Sequence, residues 1–285
     1  MKDRKIKITE CPRDAMQGIQ EFIPTKTKID YLNQLLKVGF HILDFGSFVS
    51  PKAIPQLKDT AEVIAGLDLE NTKSKLLAII ANQRGAKDAV QHEEISYLGY
   101  PFSISETFQQ RNTNASIEES LGRVAEIQNL TLKHQKELVI YISMGFGNPY
   151  GDPYHEDIVA DWLRKLKTMD IGIFALSDTI GVSEPGIIGR LFGTLIPEYP
   201  ELEIGAHLHT TPDTWKEKIE AAYKSGCNSF DGAIAGYGGC PMAADELTGN
   251  MPTEKMIAFF NQQLGKEVVE MDELSKAIEE AGRVF

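Results

Sequence analysis

The sequence is poor in three things, and each absence removes a class of answers. It holds only three cysteines, at positions 11, 227 and 240. An odd number so widely spaced makes no disulfide framework, so a small stapled scaffold is excluded and a reducing cytoplasm is the expected setting. It also lacks a long apolar run. No stretch approaches the roughly 20 residues that a spanning helix needs, and membrane insertion is not expected. The first residues, Met1-Lys2-Asp3-Arg4-Lys5, lead straight into a strand-like run, not into a signal-peptide core. Positive charge is the third deficit: 29 Lys and Arg stand against 41 Asp and Glu, a net charge of −12. Phosphate binding needs a basic face, so a nucleic-acid partner is not expected.

No Pro-, Gly- or Ser-rich linker, low-complexity tract or close repeat interrupts the chain. A single catalytic domain over residues 1–285 is therefore expected, with helices at about 253–285 closing it. Hydrophobic residues make up 42% and charged residues 25%, a globular profile with enough chain to bury one sizeable core.

Apolar, β-rich runs recur along this length. They read as strands over 5–10, 40–46, 75–81, 95–104, 137–143, 171–177, 202–207 and 229–235. Between them lie helical patterns. Residues 25–38 space Ile29, Leu32, Leu35 and Leu36 along one face and stop at Gly39, a C-terminal cap. Residues 116–133 open on Ser116 and Glu119 at capping-box spacing. Residues 155–169 and 213–225 read the same way, and 253–264 and 272–282 follow as final helices outside the barrel or against a partner subunit. Near-continuous apolar strands alternating with helices imply parallel strands covered by helices. Eight such units point to a (β/α)8 TIM barrel with extra C-terminal helices. A doubly wound open sheet gives a similar alternation.

In such a barrel the active site lies at the C-terminal ends of the strands. Strand seven ends on His207-Leu208-His209, whose imidazoles share one face because strand side chains alternate. Strand one ends into Glu10-Cys11-Pro12-Arg13-Asp14, counted among the polar or reactive groups at that end. The pair Arg13-Asp14 reads equally as a surface ion pair or as an enolate-stabilising cation beside a hard oxygen ligand. Asp44 lies in an apolar strand, where a charge needs a partner, and it is assigned to the site. Ser177-Asp178-Thr179 reads first as a cap for the next helix. Ser105-Glu106, Tyr141 and Ser143 complete the polar groups at that end. Cys227 reads as packing and Cys11 is ambiguous. Cys240, between Gly238-Gly239 and Pro241, is a candidate acid/base thiol. Asn250 is a turn residue or a carbonyl ligand. One carboxylate, two imidazoles and an amide suit a divalent cation with open positions. Mg2+ or Mn2+ fits best and Zn2+ remains open. Such a site serves the making or breaking of a carbon–carbon bond beside a carbonyl, with hydrolysis as the open alternative.

Residues 5–265 resemble hydroxymethylglutaryl-CoA lyase, within the metal-dependent barrels that include isopropylmalate synthase. The resemblance rests on Pro12-Arg13-Asp14-Ala15-Met16-Gln17, on residues 47–56 (SFVSPKAIPQ), on Ser116-Ile117-Glu118-Glu119-Ser120, on Asp178-Thr179-Ile180-Gly181-Val182 and on Gly238-Gly239-Cys240-Pro241. It implies Asp14, His207, His209 and Asn250 as metal ligands and Arg13 as the residue that neutralises an acetyl-CoA enolate. It implies Cys240 as proton donor and Asp14 or His207 as the base. The reaction implied is retro-aldol cleavage of an acyl-CoA substrate to acetoacetate and acetyl-CoA, in a homodimer. The chain departs from the family at Asp44 (Glu expected), Ala15 (Gly), Thr210 (Asp) and Asn148 (Cys nearby), and its 240–250 loop is longer. Two other readings compete: an aldolase or condensing enzyme on a different acyl-CoA or 2-oxo acid, and an inactive barrel that acts as a binding protein. The chain stops at Phe285, short of the regulatory region of the synthases. The retained Arg13, Asp14, His207, His209 and Cys240 disfavour an inactive barrel.

Overall fold

The computed structural model describes residues 5–239 and 248–285. Cys240 lies outside the described residues. Eight parallel strands close into one barrel in sequence order: β1 (Lys7–Glu10), β2 (Ile42–Ser47), β3 (Lys75–Ile79), β4 (Ile95–Ser103), β5 (Glu137–Ser143), β6 (Ile173–Asp178), β7 (Glu203–Leu208) and β8 (Ser229–Gly232). The open-sheet alternative is thereby set aside, because β1 pairs with both β2 and β8. All eight expected strands are present. The eighth stops early: residues 234–236 form a 3-10 turn with Ala235 at φ 58°, where strand was expected to Ala235.

The register sorts the side chains. Thr9 sits beside Ile42 and Asp231, Tyr141 beside Ala175, and Ser177 beside His207. Side chains alternate across a strand, so these residues point into the barrel, while Glu10, Asp178 and Leu208 point out towards the helices. The barrel interior carries a small apolar layer of Ile42, Leu77, Val139, Tyr141 and Ala175. A much larger apolar shell lies between strands and helices, around Tyr31, Phe40, Phe102, Phe174, Phe192 and Phe260. It is this outer shell that makes the strands near-continuously apolar in sequence.

The expected caps form. Helix Thr25–Val38 ends at Gly39 in the left-handed region, and helix Ile117–Lys133 opens on the Ser116–Glu119 capping box. Helices Thr253–Leu264 and Met271–Val284 follow the barrel, and the second lies along Thr25–Val38. No described helix is long and apolar enough to cross a membrane.

Candidate active site

A short helix, Pro12–Gln17, begins directly after β1. Proline at its first position suits the fixed φ of that site. The helix turns Arg13 and Asp14 back over the mouth of the barrel, and both are buried. The surface ion-pair reading is thus excluded. Arg13 lies between two carboxylates. Its Nε reaches Asp44 at 3.0 and 3.2 Å and its Nη2 reaches Asp44 Oδ2 at 2.6 Å. Its Nη1 donates to Asp14 Oδ1 at 2.8 Å and to Gln17 Oε1 at 3.0 Å. One of its five N–H groups takes no acceptor among the described residues, and Arg13 lines the cavity.

Asp44 is the buried charge that required a partner, and Arg13 is that partner. Burial pushes its carboxyl up to about 6, against the pull of Arg13, so it is ionised at neutral pH. Asp14 moves the other way. Burial raises it, but Arg13, then His207, His209 and the amide of Asn250 outweigh burial and hold it at about 2. Gln17 Nε2 and Asn250 Nδ2 each donate to Asp14, at 2.7 and 2.9 Å.

The two histidines meet these groups from β7, with ring centroids 5.4 Å apart. Donor atoms of Asp14, His207 and His209 all lie within 4.8 Å of one another. His209 is 3% exposed, and neither of its ring nitrogens has a partner at hydrogen-bonding geometry. Burial, with His207 nearby, lowers it to about 4, so its ring is neutral and its lone pair available. Two orphaned nitrogens in a buried imidazole, facing a carboxylate, fit a cation ligand. The donor set of one carboxylate and two imidazoles suits a divalent ion with open positions.

Sequence reasoning missed Asp231. It points inward from β8 and its Oδ2 lies 3.0 Å from His207 Nδ1. Burial lowers His207, but the hydrogen bond and charge of Asp231, with Asp14, carry it above its ordinary value. A carboxylate on Nδ1 leaves Nε2 for a ligand and fixes the ring. An aspartate in a buried strand was the available signal, the same one that singled out Asp44.

Other expectations change place. Ser105 and Glu106 are not part of the site. Ser105 caps helix Glu106–Thr113 and donates to Asp152 at 2.5 Å, and Glu106 accepts from Ile117 N–H. Asp178 is structural but is not the helix cap that was expected. Helix Pro185–Glu198 has Glu184 at its N-cap, while Asp178 accepts from Val182 and Ser183 in the preceding loop and pairs with buried Lys218 at 2.8 Å. Lys218 Nζ also donates to the carbonyls of Gly181 and His209. Cys227 is buried, with its sulfur against the Ser229 carbonyl. Thr210, where aspartate was expected, exchanges two backbone hydrogen bonds with Gly249, and its hydroxyl donates to the Asn250 carbonyl at 3.2 Å. It therefore positions Asn250.

Above this floor opens a cavity of about 340 Å3. Arg13, Asp14, His207, His209, Ser143 and Ser177 form its polar side, and Val49, Ala53, Ile54, Pro101 and Phe108 its apolar side.

Comparison with known proteins follows the same lines. The chain is 32% identical over 278 residues to a hydroxymethylglutaryl-CoA lyase of Bacillus subtilis, covering 96% of this chain and 91% of that one. It is 33% identical over 261 residues to a 3-hydroxy-3-isohexenylglutaryl-CoA/hydroxymethylglutaryl-CoA lyase of Pseudomonas aeruginosa, covering 90% and 85%. Among solved structures, an HMG-CoA lyase of Acinetobacter baumannii in complex with coenzyme A and 3-methylmalate superposes with a TM-score of 0.89 at 29% identity, over 98% of this chain and 91% of that one. The HMGL-like family model matches residues 5–280. With a barrel whose mouth gathers a buried arginine, a carboxylate and two imidazoles, the chain belongs to the HMGL-like family.

Proposed function

We propose that the protein is a carbon–carbon lyase that cleaves 3-hydroxy-3-methylglutaryl-CoA to acetoacetate and acetyl-CoA. The observation that carries this is the floor of the cavity: an anchored guanidinium with a spare N–H beside Asp14, His207 and an unpartnered His209. Asp14, His207 and His209 would hold Mg2+ or Mn2+. Asn250 stands behind Asp14 and would add its amide oxygen only by turning the group over, since its Nδ2 faces Asp14. When bound, the ion would polarise the hydroxyl and carboxylate oxygens of the substrate.

The remaining work falls to side chains. Either Asp14 or His207 takes the 3-hydroxyl proton. With Nε2 holding the ion and the Nδ1 proton on Asp231, His207 would have no lone pair left, which favours the Asp14 carboxylate as the acceptor. As the bond between C2 and C3 breaks, its electrons pass into the thioester as an enolate. Arg13 is fixed by Asp44 and donates to the enolate oxygen without having to reorganise. Cys240 then supplies the proton to C2. Asp44 acts by positioning Arg13.

The test is direct. Purified protein with Mg2+ or Mn2+ and hydroxymethylglutaryl-CoA should yield acetoacetate, and no product with any divalent ion overturns the assignment. The apolar wall of Val49, Ile54 and Phe108 favours a second substrate in the same assay, the isohexenyl analogue named for the Pseudomonas relative. The few cysteines and the acidic chain support a cytoplasmic enzyme, and a homodimer is proposed from the family resemblance, to be checked by sedimentation.

A further inference from the structure

We propose a second cation site beneath the first, made by Cys11 Sγ, His207 Nδ1 and the Asp231 carboxylate. It would take soft, thiophilic divalent ions such as Zn2+ or Cd2+ and compete with the upper site for His207.

The donor atoms of these three residues lie within 4.8 Å of one another. The nearest pair, His207 Nδ1 and Asp231 Oδ2, is already 3.0 Å apart. All three side chains point inward, Cys11 and Asp231 from the adjacent ends of β1 and β8. The thiol is buried and has little holding it: its acceptor is the Thr9 carbonyl, at 3.9 Å. Charge favours a cation there. Asp14, Asp44 and Asp231 converge on this floor, and Arg13 engages only the first two. A thiolate, an imidazole and a carboxylate form a donor set for zinc-like ions, whereas Mg2+ avoids sulfur.

Competition follows from the imidazole. As a neutral ring it offers one lone pair at a time. A carboxylate can only accept, so the neutral ring carries its proton on Nδ1 towards Asp231 and leaves Nε2 as the lone pair for the upper site. A soft ion at Nδ1 sends that proton to Nε2, and the Cys11 proton leaves to solvent. The upper site then keeps Asp14 and His209 but loses His207. Zinc would thus inhibit by drawing His207 and Asp231 away from the proposed cleavage, anchored by the Cys11 sulfur, which that cleavage does not use.

Two measurements test this, and the first is independent of the proposed reaction. Titration of the full chain with Cd2+ should raise a thiolate-to-metal charge-transfer band that saturates at one equivalent. The band should vanish in Cys11→Ser and persist in Cys240→Ser. A band that survives in Cys11→Ser, or no band in the wild type, overturns the site. The second rests on the lyase reading. Zn2+ should inhibit Mg2+-supported turnover, and Cys11→Ser should need about tenfold more Zn2+ for the same inhibition. Equal sensitivity of the two proteins overturns the competition.

Discussion

Glu10→Gln is expected to stabilise the protein, and to do so more as pH rises. Glu10 points out of β1 into the apolar shell and is fully buried. Its Oε1 accepts from the Ile234 N–H at 2.9 Å and its Oε2 from the Thr253 hydroxyl at 2.6 Å. Burial pushes its carboxyl up to about 8, against the help of those two donors, from an ordinary 4.5. Between those values the folded protein binds a proton that the unfolded chain has released. Stability from this group is therefore fully present below about pH 4.5, declines as pH rises, and is flat above about pH 8. Each pH unit in the window is worth about 1.4 kcal/mol, so the whole is up to roughly 5 kcal/mol. That is comparable with the net stability of many domains. Glutamine keeps an acceptor for Ile234 and does not titrate. The assay is the difference in urea midpoints between the two proteins, from about pH 5 to about pH 8.5. Every other titrating group is common to both and cancels. The gap should widen with pH by a few kcal/mol. A gap that stays constant refutes the reasoning, because Glu10 would then be ionised in both states.

Three further outcomes are expected. Asp231→Asn should weaken Mn2+ binding by about 10- to 100-fold in a calorimetric titration, since the amide can donate to His207 Nδ1 and move the proton to Nε2; unchanged affinity removes Asp231 from the site. Lys218→Met leaves the Asp178 carboxylate buried without its ammonium, and should lose about 3–5 kcal/mol in urea unfolding, partly recovered by adding Asp178→Asn. A loss within about 0.5 kcal/mol would mean that the pair does not form in solution. Gly238→Ala should reduce turnover by about 100-fold, because at φ +83° its Cβ would sit 2.6 Å from Ala15 Cα and 2.9 Å from the Asp14 carbonyl. Wild-type rates would show that the loop moves aside freely.

The parts of this molecule written in local pattern were legible in the sequence. Strands covered by helices are apolar along their length, so all eight could be read as runs, and Gly39 and Ser116–Glu119 marked helix ends by chemistry that acts within a few residues. Asp44 was legible because a charge among apolar neighbours demands a partner. Which partner was not, since Arg13 is brought to it by the pairing of β1 with β2, across 31 residues. Asp231 escaped for the same reason: its meaning lies in His207, on the neighbouring strand. Glu10 was placed among the cavity groups, yet strand alternation turns it outward, and a one-residue change of face cannot be read without the register. Ser105 was misassigned because a strand-end hydroxyl serves a helix cap as readily as a substrate.

The Thr210–Gly249 pairing ties the chain that follows residue 247 to the candidate cation site. Thr210 follows His209, Gly249 precedes Asn250, and Asn250 closes back on Asp14 and on the Tyr237 carbonyl. Both flanks of the segment that carries Cys240 are thus tied to residues that would hold the ion. Two binding events that act on one shared constraint are thermodynamically reciprocal. If substrate rearranges those flanks and tightens cation binding by some factor, the cation must tighten substrate binding by the same factor. Ion and acyl-CoA would then be recorded in a binding experiment as one cooperative ligand pair, not as two independent occupants.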